Sequence, residues 1–323
     1  MYLHKITYIS YTLSYMNEIH KTIILGSGPA GLTAGIYSAR SNLKPLLFAG
    51  SNPGGQLTIT TLVENYPGFK DGIMGPQLMQ DMIEQSKNSG VEIIYEDIIK
   101  VDFSKRPYIL ESITKTYKAE TIIIATGAST RWLGIDSEQK FMGKGVSGCA
   151  TCDGPFFKDK VVSVIGGGDS AMEEALYLAR LAKKVYLIHR KDEFRASQIM
   201  QKRVMENSKI EIIYSCEVIE IKGDNIVKSI DIKNNKLNTV SNLLVDGVFI
   251  AIGHTPNTQI FKEYIDVDEN GYIKVKDFVK TNIDGIFASG DVSDPKYRQA
   301  ITSAGTGCIA AIEAMHFTEN NPL

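Results

Sequence analysis

Gly148-Cys149-Ala150-Thr151-Cys152-Asp153-Gly154 is followed, after a short gap, by Val161-Val162-Ser163-Val164-Ile165-Gly166-Gly167-Gly168. A β-branched run that stops on glycines reads as a strand entering a tight turn. Asp169, Ser170 and Ala171 lead into a helix that reaches Leu181, and Lys184-Val185-Tyr186-Leu187-Ile188 is the next strand. Gly166, Gly168 and Ala171 satisfy the G-x-G-x-x-G/A pattern of a β-α-β unit. That turn lets the backbone approach a pyrophosphate, whose charge is met by amides at the helix N-terminus. A redox-capable dithiol therefore sits immediately upstream of a dinucleotide cradle.

The same plan occurs near the N-terminus. Thr22-Ile23-Ile24-Leu25 is a strand, Gly26-Ser27-Gly28-Pro29-Ala30-Gly31 the turn, and a helix runs on to Ser41 before a second strand, Leu43 to Phe48. The fingerprints begin at Gly26 and Gly166, an internal repeat with an offset of 140 residues. Gly75 to Asn88 reads as a helix, and Ile93-Ile94, Val101 to Phe103 and Tyr108 to Leu110 as short antiparallel strands. Thr121 to Ala125 and Val248 to Ile252 close the two units as apolar strands. A last helix, expected from Gly305 to Phe317, has no partner segment and is expected to return to the first unit. The fold class is α/β, with two Rossmann-like three-layer (ββα) nucleotide-binding domains, the second inserted into the first. The expected domains are 16–131 with 262–323, and 132–261 carrying the CxxC.

The chain has 323 residues, 43% apolar and 22% charged, with a formal net charge of −2. That composition is globular and allows two domains with real cores. No Lys/Arg block is dense enough to follow a phosphate backbone, which argues against nucleic acid, and no apolar stretch is long enough to span a bilayer. Four cysteines do not make a disulfide scaffold. Cys216 and Cys308 are expected to be buried small hydrophobes, and one CxxC suits a reducing cytoplasm. Residues 1–15 fit neither a signal peptide nor a transit peptide; they are expected to be a loose extension, with Met16 as the natural start.

The two cradles differ in the residues downstream of them. An NAD site places an acid about twenty residues on to take the ribose hydroxyls. After the second fingerprint the strand instead ends in His189-Arg190-Lys191, with Arg195 a turn further. Cationic donors there suit a 2′-phosphate, so NADPH is favoured over NADH. The first cradle's second strand ends Leu47-Phe48-Ala49-Gly50, with neither acid nor cations. A flavin there is a suitable relay from a nicotinamide to a disulfide. For Cys149 and Cys152 zinc is the rival reading, but a structural zinc needs four ligands and no second CxxC exists. Asp153 adjoins the second sulfur and is placed to deliver a proton to a leaving thiolate, unless it is only a satisfied loop carboxylate. The chain so far reads as a flavin-containing disulfide reductase.

These residues closely resemble the low-molecular-weight, bacterial-type thioredoxin reductases, class II pyridine nucleotide-disulfide oxidoreductases. The likeness runs from about Met16 to Met315, and its most specific stretch is Gly148 to Gly154, set between the two nucleotide units. Gly54-Gly55-Gln56-Leu57, Glu64-Asn65-Tyr66-Pro67-Gly68, Gly253-His254-Thr255-Pro256-Asn257, Gly290-Asp291-Val292 and the run Tyr297 to Cys308 also match. The resemblance implies FAD on the first cradle, with Asp291 at the ribityl-pyrophosphate portion, Gln299 and Ala300 beside the flavin ring, and Gln56 and Asn65 lining its pocket. It implies NADPH on the second, with His189, Arg190 and Arg195 around the 2′-phosphate. The family often has a second arginine where this chain has Lys191, which keeps the charge but loses a bidentate fork.

The implied cycle runs from NADPH to FAD, to Cys149–Cys152, to thioredoxin. Cys152 matches the sulfur facing the flavin, Cys149 the interchange thiol and Asp153 the proton donor. Family members are cytosolic homodimers in which a large domain rotation alternates access to the flavin. The alternatives are a reductase of the same build for a glutaredoxin-like or peroxiredoxin-system disulfide, one using another electron donor, and a non-catalytic redox-sensing protein.

Overall fold

The structure, a computed structural model, describes residues 18–323; the expected extension, 1–15, lies outside the described residues. The chain divides into two compact units, one formed by the described residues up to Ser129 with Thr255–Leu323, the other by Thr130–His254. The return crossing thus falls at 254/255, before the 261/262 read from sequence. Phe261 is fully buried in the first unit's core, which draws the segment ahead of it into that unit.

The first unit starts with β1 (Ile19–Leu25), α1 (Pro29–Arg40), β2 (Leu46–Phe48), α2 (Gly75–Asn88), β3 (Glu92–Ile94), β4 (Ile98–Asp102), β5 (Tyr108–Ser112) and β6 (Thr116–Ile124). The connecting strand β7 (Ala128–Thr130) leads into the second unit. There β8 (Val146–Ser147), α3 (Ala150–Asp153), β9 (Val161–Ile165), α4 (Asp169–Leu181), β10 (Lys184–Ile188), α5 (Gln198–Met205) and β11 (Ile210–Ile213) follow in turn. A meander, β12 (Cys216–Gly223), β13 (Val227–Asn234) and β14 (Val240–Leu244), precedes β15 (Gly247–Ile250). The chain returns through β16 (His254–Pro256), which pairs with β7, and finishes with β17 (Ile286–Ala288) and α6 (Ala300–Asn320).

Among the described residues the first unit's main sheet has the order β3-β2-β1-β6-β5-β4, with β17 also on β6. Ile23 pairs with Leu46 on one side and Ile122 on the other, both in parallel. Parallel strands covered on both faces are apolar throughout, and here consecutive residues serve opposite cores. Ile24, Ile123 and Phe287 face the helices α1, α2 and α6. Ile23, Leu25, Ile122 and Ile124 face a core completed by Leu110, Phe261 and Ile273. β4 and β5 are antiparallel, as read from sequence, but β3 pairs with β2 in parallel. The reason is α2, which serves as the crossover that a parallel connection requires.

The second unit's parallel sheet has the order β8-β15-β9-β10-β11. α4 covers one face through Met172, Ala175 and Leu178. The meander covers the other, where Val218, Ile221 and Ile230 meet Ile165, Ile188 and Val248. This is a helix layer, a parallel sheet and an antiparallel sheet, the three-layer α/β arrangement expected. No described helix is long and apolar enough to cross a membrane.

Candidate active site

In the first unit the glycine turn is shaped by close contacts. Gly26 has φ +111°, and a Cβ there would lie 2.2 Å from the Ala125 carbonyl oxygen. A Cβ on Gly31 would lie 1.9 Å from the oxygen of Gly26, so the first turn of α1 rests directly on the end of β1. Gly28 is different: a Cβ would meet nothing within 4 Å. It is the N-cap of α1, Pro29 follows at the start of the helix with Ala30 and Gly31, and no side chain caps it. The helix end is thus left with unmet N–H donors facing open space, as an anionic phosphate requires.

Asp291 joins this site from the far end of the chain. It lies in the turn after β17, where Ser303 Oγ donates to its Oδ1 at 2.9 Å. Burial, offset partly by that hydrogen bond, pushes its pKa up to about 6 from 3.8. The Gly290 N–H donates to Thr306 Oγ1 at 3.0 Å, and a Cβ on Gly307 would lie 2.2 Å from the Ala30 oxygen. α6 therefore packs backbone against backbone on α1 and carries the Asp291 turn to the cradle.

Gln299 caps α6, exchanging bonds with Thr302, which explains why the helix starts ahead of the expected Gly305. Ala300 is the first residue of that helix, and Asn65 Nδ2 donates to Gln299 Oε1 at 3.4 Å. Gln56 donates from its Nε2 to the Ala128 carbonyl. A buried acid wanting donors, a bare helix start and side-chain amides from three segments fit a hydroxylated, phosphate-bearing flavin nucleotide. Ser303, Thr306 and Gly307 carry no motif of their own; the only signal was their place in the matching run from Tyr297 to Cys308.

Asp291 makes pH dependence predictable. In flavin-free protein the folded state favours its protonated form, so the stability it contributes is present below about pH 4 and lost as pH rises through about 6. Above that range the buried charge costs about 3 kcal/mol. Asp291→Asn, stripped of flavin, is expected to unfold at a higher temperature than the parent at pH 8 and at about the same temperature near pH 4. Equal midpoints at pH 8 would remove the burial argument.

In the second unit, a Cβ on Gly166 would lie 2.3 Å from the Ala251 oxygen and 2.7 Å from the Cβ of buried Ala171. Gly168 repeats the open position: it is the N-cap of α4, has no side-chain cap, and a Cβ would meet nothing within 4 Å. Ser170 sits half-buried in the helix's first turn. Asp169 turns aside, its Oδ1 accepting from both the N–H and Oγ of Ser197 at 2.9 and 2.8 Å. The Gly167 oxygen accepts from the N–H groups of Arg195 and Ala196, so the loop after β10 is stitched onto the glycine turn.

That loop holds the expected cations in two layers. Arg190, Lys191 and Arg195 are exposed, and among the described residues none pairs with a carboxylate. His189 is buried beneath them, with Nε2 donating to the Glu193 carbonyl at 3.1 Å and its ring filling the space over Gly167. Burial, ahead of the neighbouring cations, pushes its pKa below the usual imidazole value. A neutral His189 supports the loop, and the positive charge comes from the other three.

Cys149 and Cys152 are joined in a disulfide with Cα atoms 5.3 Å apart. Both are half-buried. Cys149 caps the short helix α3, its Sγ accepting from the Cys152 N–H at 3.2 Å. A donor of that kind favours the thiolate once the bond opens. The Asp153 N–H donates to the Cys149 carbonyl at 3.1 Å, and burial raises the Asp153 carboxyl above the usual range against a hydrogen bond from Ser147. A carboxyl that holds its proton to higher pH suits a proton donor. Cys216 is buried as expected; Cys308, on α6, is partly exposed.

Known proteins share this plan. Residues 20–307 match the pyridine nucleotide-disulphide oxidoreductase family. The thioredoxin reductase of Rickettsia conorii is 54% identical over 302 residues, 92% of this chain and 97% of that protein. That of Coxiella burnetii is 47% identical over 310 residues, covering 93% and 97%. Among solved structures, the thioredoxin reductase of Streptococcus pyogenes is 43% identical with a TM-score of 0.90, over 94% of this chain and 99% of that one.

Proposed function

The chain belongs to the pyridine nucleotide-disulphide oxidoreductase family, among its thioredoxin reductases, and from that premise we propose that it moves electrons from NADPH through FAD and Cys149–Cys152 to oxidised thioredoxin. It is an oxidoreductase whose family implies a flavin and a pyridine nucleotide. The observation that carries the reading is the Cys149–Cys152 disulfide, followed directly by a carboxyl, Asp153, that burial pushes above the usual carboxylate range.

Gly26, Gly28, Pro29, Ala30 and Gly31, with Asp291, Gln299, Ala300, Gln56 and Asn65, would hold FAD. Gly166, Gly168, Asp169, Ser170 and Ala171 would form the NADPH turn, with Arg190, Lys191 and Arg195 at the 2′-phosphate over His189. Bound FAD supplies a two-electron relay between nicotinamide and disulfide. NADPH provides two electrons and a proton, and solvent provides the second proton.

Opening the disulfide leaves Cys149 as the attacking thiolate, which bonds to one sulfur of thioredoxin and displaces the other. Asp153 protonates that departing sulfur and is recharged from water. Cys152 then attacks the Cys149 sulfur, closing the disulfide again and releasing the second thioredoxin thiol. We assign the protein to a reducing cytosol, where a lone redox CxxC beside two unbridged cysteines is at home, and to the homodimeric state of the family it resembles.

Anaerobic titration tests the reading. NADPH is expected to bleach the flavin band of the purified protein, oxidised thioredoxin to restore it, and NADH to work at least about tenfold less efficiently, the loss expected when a charged phosphate contact is missing. Bleaching that thioredoxin cannot reverse would overturn the assigned acceptor.

A further inference from the structure

The loop that presents three cations also carries a carboxylate, Asp192, directly after Lys191. Left bare, that carboxylate would repel a dianionic phosphate and draw Arg190 or Lys191 into pairing with it. It is not bare. Asp192 Oδ2 lies 2.6 Å from Lys236 Nζ, and its Oδ1 accepts from Ser215 Oγ. Lys236 belongs to the hairpin turn between β13 and β14, more than forty residues further along the chain.

The same turn grips the loop by its backbone. Asn235 Nδ2 donates to the Arg190 carbonyl at 3.2 Å, and the Asn235 N–H donates to the Ser215 carbonyl at 2.7 Å. The N–H groups of Ser215 and Cys216 donate to the carbonyls of Lys191 and His189 at 3.1 and 3.0 Å. Three successive carbonyls, those of His189, Arg190 and Lys191, are therefore taken by the strand start and hairpin beneath them. The cationic side chains are left facing outward.

We propose that Lys236 is a positioning residue that determines coenzyme specificity: by neutralising Asp192 it keeps Arg190, Lys191 and Arg195 free for the 2′-phosphate of NADPH. The inference rests on the NADPH reading of the second cradle. The pair is exposed, with 64% of the Lys236 and 54% of the Asp192 side chain accessible, so it adds little to folding. Its effect lies in the field at the neighbouring anion site. The loop's other carboxylate, Glu193, is exposed and is the same in the parent and the variant.

The test compares the full-length flavoprotein with Lys236→Met and with Lys236→Met/Asp192→Asn, using NADPH and NADH as reductants at low and high salt. Lys236→Met is expected to raise the KM for NADPH roughly three- to tenfold at low salt, with the difference shrinking as salt is added. The KM for NADH, which lacks the phosphate, and kcat with thioredoxin stay at parent values. Adding Asp192→Asn removes the stranded charge and restores the KM for NADPH. A parent protein that prefers NADPH, together with an unchanged NADPH/NADH ratio in Lys236→Met, sinks this proposal alone. So does a failure of Asp192→Asn to restore it. A parent without any preference overturns the NADPH reading itself, and the proposal falls with it.

Discussion

Cys149→Ser is expected to leave NADPH able to bleach the flavin while thioredoxin reduction falls by at least about a thousandfold. The two halves of the cycle separate here because the substitution touches only the second. Flavin reduction draws on the two glycine cradles, whose contacts involve Gly26, Gly31, Gly166 and Ala171 and not the thiol pair. Thioredoxin reduction needs a sulfur that can attack, be attacked and leave. A serine hydroxyl is not ionised near neutral pH and forms no bond of comparable lability with sulfur. Cys152 alone can at most form a mixed disulfide that nothing in the chain resolves. The fold should survive, since the Cys149–Cys152 bond closes a ring between residues only three apart. Paired stopped-flow traces, one with NADPH alone and one with thioredoxin added, read the two halves directly. Turnover within tenfold of the parent would remove Cys149 from its role.

Gly307→Val is the second large effect expected, and it lies on a residue with no chemistry. A Cβ at Gly307 would stand 2.2 Å from the Ala30 oxygen and 2.9 Å from its carbonyl carbon, both backbone atoms that cannot rotate away. The helices α1 and α6 must part to admit a side chain, at about 1–3 kcal/mol or more for forced overpacking. The displacement is aimed at the proposed FAD site. α1 begins at the Gly28 cradle, while α6 carries Gln299 and Ala300 at its start and holds the Asp291 turn through Ser303 and Thr306. The purified variant should retain less than about a tenth of the parent's flavin, the tenfold loss that 1.4 kcal/mol represents. The ratio of flavin to protein absorbance checks this, and a circular dichroism spectrum like the parent's shows that the fold is kept. A full flavin complement would mean that α6 is not held by this contact.

Much of the site was legible because its signals are local. Gly26-Ser27-Gly28 and Gly166-Gly167-Gly168 each follow a β-branched run, and the strand, turn and helix they announce need only neighbouring residues to form. The cations of Arg190, Lys191 and Arg195 were likewise visible as a cluster at a strand end. His189 read as one of that cluster, yet its ring is buried under the loop. Nothing in the three consecutive side chains His189-Arg190-Lys191 tells which one faces inward. The direction of β3 was also hidden, since Ile93-Ile94 has the same apolar pattern whether its neighbour runs with it or against it. The start of α6 escaped because a glutamine cap works through a reciprocal bond to Thr302 rather than through the commoner serine or aspartate.

The sequence by itself determined the two β-α-β units, their glycine turns and the dithiol between them, because backbone conformation and side-chain alternation are decided over a few adjacent residues. Only the tertiary structure decided which groups those turns meet. Asp291 becomes a weak acid because burial strips it of water, Gly307 must be glycine because a helix from the far end of the chain rests on Ala30, and Asp192 is silenced by a lysine from another hairpin. Solvent exclusion and close approach arise between segments tens or hundreds of residues apart, and no local pattern encodes them.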